Sequence, residues 1–194
     1  ENQRESGAFL VKALLIALFV MFTILLTQFN NFYHAFLILS AVVMSTIGVM
    51  IGLLITDQPF GIVMSGVGVI ALAGIIVNNN IVLIDTFQQI QRDFPDMGLK
   101  EVIIRTGAQR MRPVLLTTVT TVLGLLPMVL QVNIDFINRI VEFGAPSTQW
   151  WVQLSTAICF GLIFSTALTL VVTPCALLLP EKFGIIRDKF KRKD

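Results

Sequence analysis

The sequence predicts an all-α integral membrane protein: five transmembrane helices plus an amphipathic helix on the inner surface. Three observations carry this. Of 194 residues, 55% are hydrophobic and 13% charged, with a mean hydropathy of +0.83. A soluble globular domain carries about 25% charged residues, and a surface this poor in charge would not stay dissolved. Five stretches reach the roughly 20 apolar residues that a membrane helix needs. The basic residues also gather on alternate connections between these stretches, as membrane topology requires. The same composition excludes a disordered chain, a disulfide-stapled secreted domain and a collagen-like fibre. A net charge of +2 is too small to imply nucleic acid.

Residues 1–7 form a lead-in and residues 8–180 the bundle. The spans are expected at about 8–27, 32–55, 61–85, 113–132 and 151–179. Their centres lack Lys, Arg and Glu, since each central charge costs about 2.5 to 3.5 kcal/mol on insertion. The first span lacks the basic n-region and small-residue cleavage site of a signal peptide. Between the third and fourth spans, Leu99, Val102, Ile103 and Met111 share one face at helical spacing, which predicts an inner-surface amphipathic helix at about 97–111. A basic tail, 181–194, is expected to meet anionic headgroups. Trp150 and Trp151 open the fifth span as an interfacial aromatic anchor.

Orientation follows from charge. The third connection holds Arg92, Lys100, Arg105, Arg110 and Arg112, and the tail holds Lys182, Arg187, Lys189, Lys191, Arg192 and Lys193. These five and six make eleven of the 14 basic residues, all on one side; Arg4, Lys12 and Arg139 fall on the other. Positive-inside asymmetry puts the tail in the cytoplasm and the N-terminus outside. Five spans, an outside start and an opening ENQRES predict the C-terminal part of a larger protein.

Polar groups inside a bilayer are expensive and usually face the bundle interior or water. Asn78, Asn79 and Asn80 lie near the middle of the third span and point about 100° apart, so they cannot all face one partner. They read either as inter-helix glue or as a polar pathway, with at least one amide reaching a neighbouring helix. Asp85 returns to the face of Asn78 seven residues later, as a proton-accessible carboxylate or, with more weight, a helix-end acid in the headgroup zone. Arg110 and Thr117 are likewise seven apart, spanning Pro113; taken alone, RMRP reads as a positive-inside anchor. Thr117, Thr118, Thr120 and Thr121 can mostly satisfy themselves on their own helix carbonyls. Gly48 and Gly52 form a GxxxG in the second span, while Gly61, Gly66, Gly68 and Gly74 line the third, permitting close helix approach. Pro127 and Pro174 are expected to kink the fourth and fifth spans.

Cys159 and Cys175 are 16 residues apart in one apolar stretch, about 24 Å along a helix. That is too far for a disulfide, and both read as small core residues. His34, the single histidine, reads as interfacial. No nucleophile–base pair, phosphate loop or metal-ligand cluster is apparent, so no cofactor is expected. Such bundles generally move solutes or protons.

The order GIIVNNNIVLID, an amphipathic helix, then RMRPVLLTTVTTVLGLLPM resembles the C-terminal membrane half of resistance–nodulation–division (RND) exporters. Within them it is most similar to the hydrophobe/amphiphile efflux, AcrB-like branch. The likeness covers essentially the whole chain, whose spans match the last five of the family's twelve. It implies a proton-driven multidrug or hydrophobe efflux permease in the bacterial inner membrane, a secondary antiporter rather than an enzyme. The partners it implies are the other half with its periplasmic porter domains, two further copies in a homotrimer, a periplasmic adaptor and an outer-membrane channel. By motif position the family's proton-relay lysine falls on Asn78, its arginine on Arg110 and its threonine on Thr117, with Asn79 and Asp85 as secondary candidates. Asparagine cannot ionise, so the resemblance implies a variant relay. The relay's aspartate pair belongs to the other half. Three alternatives stand beside this reading: a non-transporting scaffold subunit; a SecD/SecF-like export component, against which NNN in place of an acidic D-A-N run argues; and an ion channel, for which no filter-like loop is present.

Overall fold

The computed structural model describes residues 2–135, 140–143 and 146–182. Five helices dominate: α1 (Asn2–Phe29), α2 (Phe32–Ile55), α3 (Ile62–Asp93), α4 (Leu99–Val129) and α5 (Pro146–Lys182). All five are long and apolar enough to cross a membrane. A small antiparallel hairpin, β1 (Val132–Asp135) with β2 (Ile140–Phe143), lies between α4 and α5, pairing Val132 with Phe143 and Asp135 with Ile140. The chain is a multi-pass membrane protein.

Left-handed turn residues set the tight reversals. Asn30 (φ 46°) ends α1, and the Asn31 side chain then caps α2 by accepting from the Tyr33 N–H at 2.9 Å. Asp57 (φ 52°) follows α2. Asn and Asp tolerate this conformation better than other non-glycine residues. Gln131, at φ 56°, makes the corresponding turn after α4.

α5 is the spine. It packs along α2, α3 and α4, each more extensively than those three pack on one another, whereas α1 lies at the edge against α2 and α3. The close approach of α5 to α2 depends on Gly48 and Gly52, where an added Cβ would run into Phe164 and Phe160. Gly161 returns the device, sitting under Leu72 and Val49. The main apolar core joins Ile38, Val49, Leu72, Ile76, Ala157 and Leu162.

Several expectations need correcting. The stretch expected as a surface helix is not a separate element. α4 runs unbroken from Leu99 through Pro113 to Val129, so surface helix and fourth span are one rod. Its apolar face also has a protein partner: Val102 and Ile103 are buried with Phe87 and Ile90 of α3 and Leu177 of α5. The helix that carries the third span likewise does not stop at Asp85 but continues to Asp93, about 12 Å further along the axis. Asp85 is therefore not a helix-end acid. His34, at the start of α2, is 8% exposed; its ring sits against Phe29, Tyr33 and Phe87 and bonds Gln88 at 3.1 Å. The tight α1–α2 turn carries it onto α3.

Both cysteines are free, as expected, but only Cys159 is in the core; Cys175 is exposed. The helices continue through Pro113, Pro127 and Pro174. Trp151 is 49% exposed. The side chain of Trp150 and residues 183–194 of the expected basic tail lie outside the described residues.

Candidate functional site

The three asparagines of α3 divide between two faces. Asn80 is fully buried and bonded to α5: its Nδ2 donates to Thr169 Oγ1 at 3.3 Å and to the Ile76 carbonyl at 3.1 Å, and its Oδ1 accepts from Thr173 Oγ1 at 3.2 Å. Asn78, two residues earlier, is rotated by about 200° and is exposed. Asn79, 9% exposed, lies between them. The amide that reaches a neighbouring helix is thus Asn80, which the family motif does not single out.

Asn78 belongs to an open stripe on α3. Ala71, Gly74, Asp85 and Gln89 are exposed with it, all within about 60° around the helix. An added Cβ at Gly74 would meet nothing within 4 Å. The stripe is polar, small-sided and turned away from the chain's own bundle.

On α4, adjacent residues repeat the division. Thr118 is buried, donates to the Val114 carbonyl and exchanges a 2.7 Å hydrogen bond with Thr166 of α5. Thr117 is exposed and donates to the Pro113 carbonyl at 2.8 Å. Thr120 and Thr121 donate to carbonyls of their own helix, as expected for threonines within a helix. A double-mutant cycle on Thr118→Val and Thr166→Val is expected to give a coupling of about 0.6 kcal/mol, and no more than about 1.7, read from unfolding in detergent. A cycle of zero would remove this bond from the helix-packing account.

Arg110 is half-buried where α4 passes α3, and its Nε donates to Thr86 Oγ1. Thr86 in turn donates to the Val82 carbonyl at 2.9 Å. This partner is neutral, so the guanidinium is directed without losing its charge to the contact. Among the described residues no hydrogen bond joins Asn78, Arg110 and Thr117 to one another. The chain places the first and last on open surfaces and holds Arg110 by a hydroxyl. Thr86, Thr166, Thr169 and Thr173 were missed from sequence. The last three had a signal, hydroxyls spaced three and four apart along one face of the fifth span.

No group of three or more His, Cys, Asp or Glu side chains suited to a metal ion occurs among the described residues.

The AcrB/AcrD/AcrF family description matches residues 1–180. The swarming motility protein SwrC of Bacillus subtilis (strain 168) is 28% identical over 171 residues, 88% of this chain and 15% of that protein. Two crystal structures of a heavy metal efflux pump are similar over 94% of the chain. One has a TM-score of 0.76 at 33% identity, over 17% of that protein; the other has 0.73 at 31%, over 16%. The chain thus spans about one-sixth of the length of these relatives.

Proposed function

The chain belongs to the AcrB/AcrD/AcrF family of RND permeases, and from that premise we propose that it is the C-terminal membrane portion of a proton-driven efflux transporter. Its transported class would be hydrophobic or amphiphilic compounds. In this reading the open stripe of α3, with Asn78, and the open face of α4, with Thr117, meet the other half of the transporter across a shared polar centre. Arg110 reaches the same centre from its seat on Thr86. An arginine there favours the ionised form of a nearby carboxylate, and Asn78 adds a hydrogen bond without adding charge. The two secondary candidates take different places: Asp85 lies on the stripe, while Asn79 sits at its edge.

One observation carries the proposal. Asn78 and Asp85 lie in an apolar span yet turn away from their own bundle. Polar groups in such spans face protein or water rather than lipid, and in this reading the other half of the transporter encloses them. Isolated residues 1–194 are accordingly expected to confer no export, because alternating access needs two halves moving against each other.

The test is transport by the full-length protein in proteoliposomes with an imposed pH gradient. Export that stops when an ionophore collapses the gradient is the expected result; export indifferent to collapse would overturn proton coupling. Orientation is tested separately by thiol labelling of single cysteines at positions 5, 100 and 190, in a background without Cys159 and Cys175. Position 5 should react from the periplasm and positions 100 and 190 only from the cytoplasm. Periplasmic labelling of position 100 would reverse the topology.

Heavy-metal export is the second reading, favoured by the likeness to the two crystal structures of a heavy metal efflux pump. Growth of cells expressing the full transporter against a panel of detergents, dyes and metal salts separates the two. The family match stands against the scaffold and SecD/SecF-like alternatives.

A further inference from the structure

We propose that Asn80, clamped by Thr169 and Thr173 of α5, is a positioning residue that fixes the rotation of α3 and so aims Asn78 out of the bundle. The inference rests on the relay reading given above for Asn78. Asn80 is 0% exposed, and both ends of its carboxamide are engaged. It shares its face with Leu72, Ile76 and Leu83, which are also fully buried or nearly so. Turning α3 by one residue, about 100°, would pull the amide off both hydroxyls and into apolar surroundings, where an unpaired amide is costly. One rotational setting of α3 therefore satisfies Asn80. That setting puts Asn78 on the opposite face.

The same face of α5 also holds α4. Thr166, one turn before Thr169, bonds Thr118, whose neighbour Thr117 points outward. On each helix a buried anchor facing α5 lies next to an outward candidate, or one residue from it. The hydroxyls of Thr166, Thr169 and Thr173 thus form a single rail against which α3 and α4 are both registered. Packing adds to this, since Leu72 of α3 sits over Gly161 of α5, but the carboxamide between two hydroxyls is the polar contact that only one setting satisfies.

The experiment uses the full-length transporter with Thr169→Val and Thr173→Val combined, which keeps side-chain shape and removes both hydroxyls. Two readouts are compared at matched membrane levels. The first is proton-driven efflux. The second is the labelling rate of Asn78→Cys by a membrane-permeant maleimide, in a background lacking Cys159 and Cys175. The valine pair is expected to lower efflux at least about tenfold, since small misplacements at a reacting centre can cost about a hundredfold. It should also change the labelling rate several-fold. Thr169→Ser with Thr173→Ser should restore both. Unchanged labelling in the valine pair, or serine variants that behave like valine, would overturn the proposal. Should the pair not reach the membrane, the single variants Thr169→Val and Thr173→Val are read by the same criteria. Normal efflux from Asn78→Leu would sink the relay reading alone, because the labelling arm still reports α3 rotation without using transport.

Discussion

Full-length transporter carrying Arg110→Gln is expected to lose roughly a hundredfold in proton-driven efflux, the scale for removing a preorganised group that faces developing charge. Arg110→Lys should keep part of the activity. Lysine preserves the charge but not the Nε that bonds Thr86. Thr117→Val should be impaired too, since it removes only the hydroxyl on the open face of α4. The competing account is that Arg110 merely anchors the inner end of α4. Anchoring would tolerate Arg110→Gln, because Lys100, Arg105 and Arg112 keep that connection basic. The measurement is efflux at equal membrane levels of each variant. Near-normal rates from both Arg110→Gln and Thr117→Val would leave the anchor account standing by itself.

The largest effect on stability is expected at the α2–α5 contact. A Cβ at Gly48 or Gly52 meets the Cβ and ring root of Phe164 or Phe160, parts of a side chain that cannot swing away. Valine at either site has to push the helices apart. Overpacking a tight contact costs typically about 1–3 kcal/mol, and both together should prevent stable assembly. Fluorescence-detected size exclusion of detergent extracts measures this as lost monodisperse protein and lowered melting temperature. Gly66→Ala is a graded comparison: its added Cβ would meet the flexible end of Leu10 at 3.0 Å. If Gly52→Val melted like the parent, small-residue packing would not be what holds α2 to α5.

The five spans were legible because hydropathy over about 20 residues is a strong, local signal. Their ends were not. Asp85 and Arg112 look like boundaries by composition, yet α3 runs on to Asp93 and α4 starts at Leu99, because the two extensions pack on each other and on α5: Val102 and Ile103 against Phe87, Ile90 and Leu177. The β1–β2 hairpin was hidden by brevity: two four-residue strands carry too little alternation to stand out. At the site, the 100° spacing of Asn78, Asn79 and Asn80 correctly required them to diverge. Which one faces inward depended on the rotation of α3 against α5, a tertiary property. The burial of His34 was hidden for the same reason, since its shell comes from α1 and α3 as well as α2.

That α5 is the spine has a consequence for biosynthesis. Chains emerge N-terminus first, and membrane helices insert before they associate. α2, α3 and α4 thus reach the bilayer before the helix they pack against most extensively. Until α5 arrives, Asn80 and Thr118 lack their cross-helix partners, and Gly48 and Gly52 face lipid in place of Phe164 and Phe160. Without α5, helices α1 to α4 should be loose against one another and visible to membrane quality control, and the arrival of α5 should be the committing step. A ribosome-arrested chain ending before Pro146 is expected to be cleared rapidly after release, and one ending after Lys182 to persist.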